Sequence, residues 1–317
     1  MTTLTTKFDW TGMIGEVILG ASTSDGGTRT VTYHIGGDTD LPFSREVIPG
    51  DQPLVAFEIC DDPTLWSSIV TGVVGDLTHD LKGWSKAAER QYGADLVRLY
   101  LTGTRQRDFT DFPSVTRAVE DTLSGTGLPL IIEGSNDPSI DSEVFQRCGE
   151  AGEGERLLLG TAEAERYRSI AASALAYDHS VIAQSPIDIN LAKQLNILLR
   201  EIGVPSDHIL IDPYTGALGY GFEYSYSVME RIRYAALKGD QDLAMPMISS
   251  PIDSLNIKEV RDASADLQDD MAVMWEFYCC FSAAVAGAAI VCVRHPRTVP
   301  LLKEAFRALR GEIAGEG

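Results

Sequence analysis

Three glycines within six residues, Gly216, Gly219 and Gly221, punctuate the segment Tyr214-Thr-Gly-Ala-Leu-Gly-Tyr-Gly221. Glycines spaced this way let a backbone approach a ligand closely and expose consecutive amides to it. The spacing is G-x-x-G-x-G, which is not the dinucleotide fingerprint, and no Lys-Ser/Thr pair follows as in a phosphate loop. The chemistry offered is hydrogen bonding by amides and by Thr215; the same segment also reads as a tight strand-to-helix turn. Tyr220, Phe222, Tyr224 and Tyr226 adjoin it, either as core or as a flat surface for a large ring. A second group, Ser185, Asp188 and Asn190, supplies a hydroxyl, a carboxylate and an amide in one short stretch.

These residues fall just past short apolar runs, and there are eight such runs: Leu54–Cys60, 95–102, 130–135, 156–161, 180–185, 208–212, 243–249 and 289–294. Most are continuously apolar, the pattern of parallel strands buried on both faces. Helical patterns alternate with them at 80–92, 113–123, 141–150, 164–176, 187–202, 224–237, 254–287 (interrupted) and 299–313. Gly93, Gly203 and Gly239 read as helix stops, and Asp141 and Asp253 as N-caps. Eight strand–helix units predict an α/β fold, a TIM (β/α)8 barrel over residues 54–317, with an open doubly wound sheet as the rival.

In such a barrel the polar strand ends share one mouth. They are Glu58, Asp61 and Asp62; Thr102 and Thr104; Glu133, Ser135, Asn136 and Asp137; Thr161 and Glu163; Gln184 with Ser185, Asp188 and Asn190; Asp212 and Thr215; Ser249 and Ser250; and His295. Acids, hydroxyls and amides dominate and cations are few, which suits a neutral or zwitterionic ligand. Any one of them taken singly also reads as a helix cap.

Residues 1–53 do not follow this rhythm. Strands at 16–20 and 28–35 around the turn Ser24-Asp-Gly-Gly27 predict an N-terminal β-hairpin arm that caps one barrel end or meets a partner.

Composition excludes several classes. The formal net charge of −20 repels nucleic acid and anionic membranes, no apolar run is long enough to span a bilayer, and Met1–Trp10 lacks a signal core. A cytoplasmic location is expected. The five cysteines form no C-x-x-C pair, and the histidines form no metal-binding spacing, so no iron-sulfur cluster or other metal is expected on this chain.

The two longest stretches, Ser185-Pro-Ile-Asp-Ile-Asn-Leu-Ala-Lys-Gln-Leu-Asn-Ile-Leu-Leu199 and Ile211–Arg233, resemble the small (delta) subunit of the corrinoid iron-sulfur protein. That family serves the acetyl-CoA synthase/decarbonylase–carbon monoxide dehydrogenase complex. Val17-Ile-Leu-Gly-Ala21, Asp25-Gly-Gly-Thr-Arg29, Tyr92-Gly-Ala-Asp-Leu96, Leu157-Leu-Leu-Gly160 and Arg294-His-Pro296 extend the likeness, which departs at Ser249–Val260. The resemblance implies a TIM barrel that pairs as a heterodimer with a large (gamma) subunit and shares a cobamide with it. It further implies transient contact with a pterin methyltransferase and with acetyl-CoA synthase during methyl transfer in the Wood–Ljungdahl pathway. Glu133, Asn136, Ser185, Asp188, Asn190, Asp212, Thr215, Gly216, Gly219, Tyr220 and Gly221 are the candidate cofactor contacts. The alternatives are a self-sufficient pterin-dependent methyltransferase and a purely architectural subunit.

Overall fold

The computed structural model describes residues 10–43, 52–135, 137–216, 218 and 221–310. Two short strands, β1 (Glu16–Leu19) and β2 (Tyr33–Gly36), pair antiparallel. Then come β3 (Leu54–Cys60), β4 (Leu96–Tyr100), β5 (Leu130–Glu133), β6 (Leu158–Ala162), β7 (Ser180–Gln184), β8 (Ile209–Asp212), β9 (Met247–Ser249) and β10 (Ala288–Val293). These eight run in parallel and close into a barrel, with β10 bonded back to β3. Closure disposes of both sheet edges, whose open N–H and C=O groups would otherwise need partners. The TIM barrel expected from the repeat is therefore the fold.

Helices α1 (Ser68–Val74) and α2 (Leu81–Arg90) follow β3, and α3 (Phe112–Gly125), α4 (Asp141–Ala151), α5 (Tyr167–Tyr177), α6 (Ile189–Glu201) and α7 (Phe222–Leu237) follow β4 to β8 in turn. The broken helical stretch after β9 resolves into a 3-10 turn at Ile252–Asn256, α8 (Lys258–Arg261) and α9 (Gln268–Val285); α10 (Thr298–Leu309) follows β10. Helix α1 has no clear sequence signature, because Ser-Ile-Val-Thr-Gly-Val-Val is β-branched and contains glycine. Its start is held by Ser67, whose hydroxyl accepts the Ile69 N–H at 3.3 Å.

Three local expectations differ from the structure. Asp141 is not an N-cap: it lies in the first turn of α4, buried, where it accepts the Ser135 hydroxyl and pairs with Arg166 at 3.1 Å. Asp253 sits inside the 3-10 turn rather than capping a helix. The N-terminal hairpin exists, but no tight turn joins its strands. A 3-10 turn at Thr23–Asp25 leads into Gly26 at φ +91°, and the second strand starts only at Tyr33. The intervening residues run under the barrel, where Arg29 is buried. Its guanidinium bonds Glu155 at 2.8 Å and the carbonyls of Leu123, Thr126 and Leu128.

Inside the barrel the first inward tier is apolar. Leu54, Ala56, Leu96, Ile131, Leu158, Ile182, Leu210, Ile248, Ile290 and Cys292 form one cluster with Val17, Leu19 and Ile35 of the hairpin. The hairpin thus plugs the amino-terminal end of the barrel, and the polar end is the opposite one. Among the described residues no helix is long and apolar enough to cross a membrane.

Candidate binding site at the barrel mouth

Side chains alternate faces along a strand, so the next inward position on each strand lies two residues beyond the apolar tier. On β3, β4, β5, β7 and β8 those positions are Glu58, Arg98, Glu133, Gln184 and Asp212; Arg294 continues the inward face of β10. The tier is an ion-pair chain. Glu58, fully buried, receives Arg98 Nη1 on Oε2 at 2.5 Å and both Nε and Nη2 of Arg294 on Oε1 at 2.6 Å. Arg98 also meets Glu133. The Arg294 guanidinium lies 4.4 Å from the centre of the Trp66 ring, a cation–π contact that covers it from above.

This corrects the expectation of a mouth with few cations, since two guanidinium groups occupy its centre. A search of strand ends misses Arg98 because it lies within the run Leu96-Val-Arg-Leu-Tyr100. The sequence nevertheless carries a signal: a lone charge in a strand buried on both faces needs a buried counter-charge, and the inward positions of the neighbouring strands hold Glu58 and Glu133.

Asp212 is buried beside Gln184, its register partner on β7. It accepts Gln184 Nε2 at 2.9 Å and the Tyr214 N–H at 2.8 Å. Burial pushes its carboxyl above the usual range, against the pull of those two donors. Thr215 shares a 2.6 Å hydroxyl contact with Ser249, and Ser225 accepts the Gly216 N–H while donating to the Tyr214 carbonyl. Gly216 lies close against the Tyr214 ring: a Cβ there would stand 2.5 Å from it, so the ring would have to shift. The hydroxyls of Ser185 and Thr161 are buried and meet no partner.

The structure therefore brings Glu133, Ser185, Asp212, Thr215 and Gly216 together at the mouth. Asp188 takes the bland role, capping α6 through Oδ1 with the N–H groups of Asn190 and Leu191, and Asn190 is exposed on the first turn. Gly221 precedes α7 in extended φ that any residue adopts. Asn136, Gly219 and Tyr220 lie outside the described residues. Of the neighbouring aromatics, Phe222 and Tyr226 pack half-buried on the core, whereas Tyr224 is exposed.

Behind Arg294 stands Glu276 of α9, fully buried, which accepts the backbone N–H of Arg294 at 2.7 Å and of His295 at 3.2 Å. Burial raises its pKa to about 7, while those N–H groups pull it down. His295 accepts the Arg297 N–H on Nδ1, which leaves Nε2–H to donate to Asp269 at 2.9 Å. Its environment is structural, and burial lowers its pKa. Among the described residues no three His, Cys, Asp or Glu side chains converge on a metal position.

Comparison with known proteins gives this arrangement its context. The chain is 33% identical to the acetyl-CoA decarbonylase/synthase complex subunit delta of Archaeoglobus fulgidus, over 98% of this chain and 71% of that protein. It is 34% identical to the corresponding subunit of Methanothermobacter thermautotrophicus, over 92% of this chain and 75% of that one. Among solved structures, the dihydropteroate synthase of Xanthomonas albilineans superposes with a TM-score of 0.59, at 17% identity, over 84% of this chain and 95% of that one. That likeness is one of fold. A family model described as CO dehydrogenase/acetyl-CoA synthase delta subunit matches residues 16–286, from the first strand of the hairpin to the end of α9. By that match and those identities, the chain belongs to the delta subunit family of the acetyl-CoA decarbonylase/synthase complex.

Proposed function

We propose that this chain is the small subunit of a corrinoid iron-sulfur methyl carrier, and that its barrel mouth covers one face of a cobamide held mainly by a large (gamma) subunit. The observation that supports this most is the self-neutralised centre of the mouth. Glu58, Arg98, Glu133 and Arg294 are spent on one another. Neither of these guanidinium groups is left unpaired to grip a phosphate or carboxylate substrate. Around that centre the strand ends add hydrogen-bonding capacity without a strong field: the buried hydroxyls of Ser185 and Thr161 have no partner, and those of Thr215 and Ser249, also buried, meet each other. A corrin ring is large and fringed with neutral amides, each both donor and acceptor, so hydroxyls, carboxylates and backbone groups match it.

When bound, the cobamide supplies a cobalt centre that takes up and passes on a methyl group. The part of this chain is to bind and orient the ring edge and to exclude water from one face. Exclusion matters because a strongly reducing centre is open to side reactions in water. Contacts with a pterin methyltransferase and with acetyl-CoA synthase would then be transient, as methyl transfer in the Wood–Ljungdahl pathway requires. An iron-sulfur cluster belongs on the large subunit in this reading.

The test is co-expression with the large subunit. The heterodimer should purify with the corrin absorption spectrum, whereas this chain alone should take up hydroxocobalamin poorly. Tight stoichiometric uptake by the isolated chain would count against the proposal. Sub-micromolar binding of methyltetrahydrofolate by the isolated chain would instead favour a self-sufficient pterin-dependent methyltransferase. Methyl transfer unchanged by substitutions at Ser185, Asp212 and Gly216 would favour a purely architectural subunit.

A further inference from the structure

We propose that the part of the mouth that touches the ring ligand is the lip formed by Ser185, Ile187 and Tyr214, with the Tyr214 side chain as the direct contact. The identity of the ligand rests on the cobamide reading; the location of the lip rests on backbone geometry, exposure and an unpaired hydroxyl.

Ile187 and Tyr214 both have left-handed backbone, at φ +52° and +61°. That region suits glycine and tolerates Asn or Asp, and it is unfavourable for β-branched and bulky side chains. The two residues lie on the loops after β7 and β8, and they are linked. The Ile187 N–H reaches the carbonyls of Ser185 at 2.9 Å and Pro213 at 3.1 Å, and the Ser185 N–H reaches the Asp212 carbonyl at 2.9 Å. Tyr214 is clamped on both sides, its N–H on Asp212 Oδ1 and its carbonyl on the Ser225 hydroxyl.

Packing does not repay this conformation at Tyr214. Its ring lies against the bare backbone of Gly216 and remains 44% exposed. The Ser185 hydroxyl, at 1% exposure, has no hydrogen-bond partner. A disfavoured backbone and an aromatic ring left open thus coincide at Tyr214, on a loop bonded through Asp212 and Pro213 to the backbone of Ser185 and Ile187, and the buried Ser185 hydroxyl is unpaired. Unfavourable features of this kind persist where a binding partner is met, and they cluster at ligand clamps. The ligand chemistry that fits is an extended flat ring with amide groups on its edge. The ring face lies on the Tyr214 phenol.

The experiment compares the heterodimer carrying the wild-type chain with Tyr214→Gly, Tyr214→Asn and Tyr214→Phe, titrated with hydroxocobalamin, alongside thermal unfolding of this chain. Glycine and asparagine accept the left-handed backbone, so both variants should fold, with Tm equal to wild type or raised by about 2–4 °C. Each should lose corrinoid affinity tenfold or more, and Tyr214→Phe should keep most of it. Affinity within twofold of wild type in Tyr214→Gly would overturn the proposal. Should the wild-type heterodimer take up no corrinoid, the cobamide reading fails by itself. The lip is then judged with methyltetrahydrofolate: a tenfold loss in Tyr214→Gly upholds it, and equal binding or none overturns it.

Discussion

Glu58 and Arg294 meet through two hydrogen bonds of 2.6 Å to a single carboxylate oxygen, although 236 residues separate them in the chain. The contact exists because β10 closes onto β3, which brings the end of the last strand beside the first. It serves both the fold and the mouth: it ties the barrel seam and cancels a buried charge at the centre of the candidate site.

Removing Glu58 should therefore leave the Arg294 guanidinium without a carboxylate in the interior and Arg98 with Glu133 alone. Breaking a buried pair from one side costs about 3–5 kcal/mol, because the remaining charge stays desolvated. Glu58→Ala is expected to lower the urea midpoint by that equivalent. A wild-type midpoint would mean that water reaches Arg98 and Arg294.

Glu276 should make stability depend on pH. Its pKa is raised to about 7 in the folded chain by burial, against about 4.3 for an unperturbed Glu. Between those values the folded state holds the proton more tightly, so this group's contribution is full at low pH and is lost as pH rises through about 7. The stability of Glu276→Gln relative to wild type should improve by about 3 kcal/mol on going from pH 4.5 to pH 8. A difference flat with pH, in paired chemical-denaturation curves, would refute this.

Arg29 fastens the hairpin to the closed end of the barrel. Arg29→Met would leave the Glu155 carboxylate and the carbonyls of Leu123, Thr126 and Leu128 short of a donor. A loss of about 3–5 kcal/mol is expected by the same reasoning as for Glu58. Arg29→Lys should recover only part of it, because an ammonium cannot reproduce the planar fork. Urea unfolding of both variants decides; full recovery by lysine would show that charge alone matters.

Asp188 separates capping from ligand contact. Asp188→Ala should cost about 1 kcal/mol through the lost N-cap of α6, and Asp188→Ser should restore most of that. If Asp188→Ser regains stability but the heterodimer still loses corrinoid, the carboxylate touches ligand as well. If both return together, capping accounts for the residue.

Much of the fold is legible along the chain because its signals are local. Continuous apolar runs such as Leu54–Cys60 mark doubly buried strands, and Gly93, Gly203 and Gly239 do stand at positive φ beyond helices. Asp141 shows where local reading stops: an aspartate before a helical pattern resembles a cap until Arg166 and Ser135 are found against it. The missing tight turn of the hairpin has a similar cause, since Arg29 is drawn under the barrel by partners around residues 123–128 and 155.

The eightfold strand–helix period, the polar strand ends and the family likeness are properties of the sequence by itself, because periodicity and short motifs are written along the chain. Only the tertiary structure decided that Arg98 and Arg294 neutralise Glu58 and Glu133, and that Asp188 turns to its own helix. It also decided that Ile187 and Tyr214 hold unfavourable backbone on neighbouring loops. The Asp188 cap is a local contact that the sequence left open beside ligand binding; the others depend on which strands become neighbours when the barrel closes, and a charge or a strained residue has no meaning until its surroundings are set.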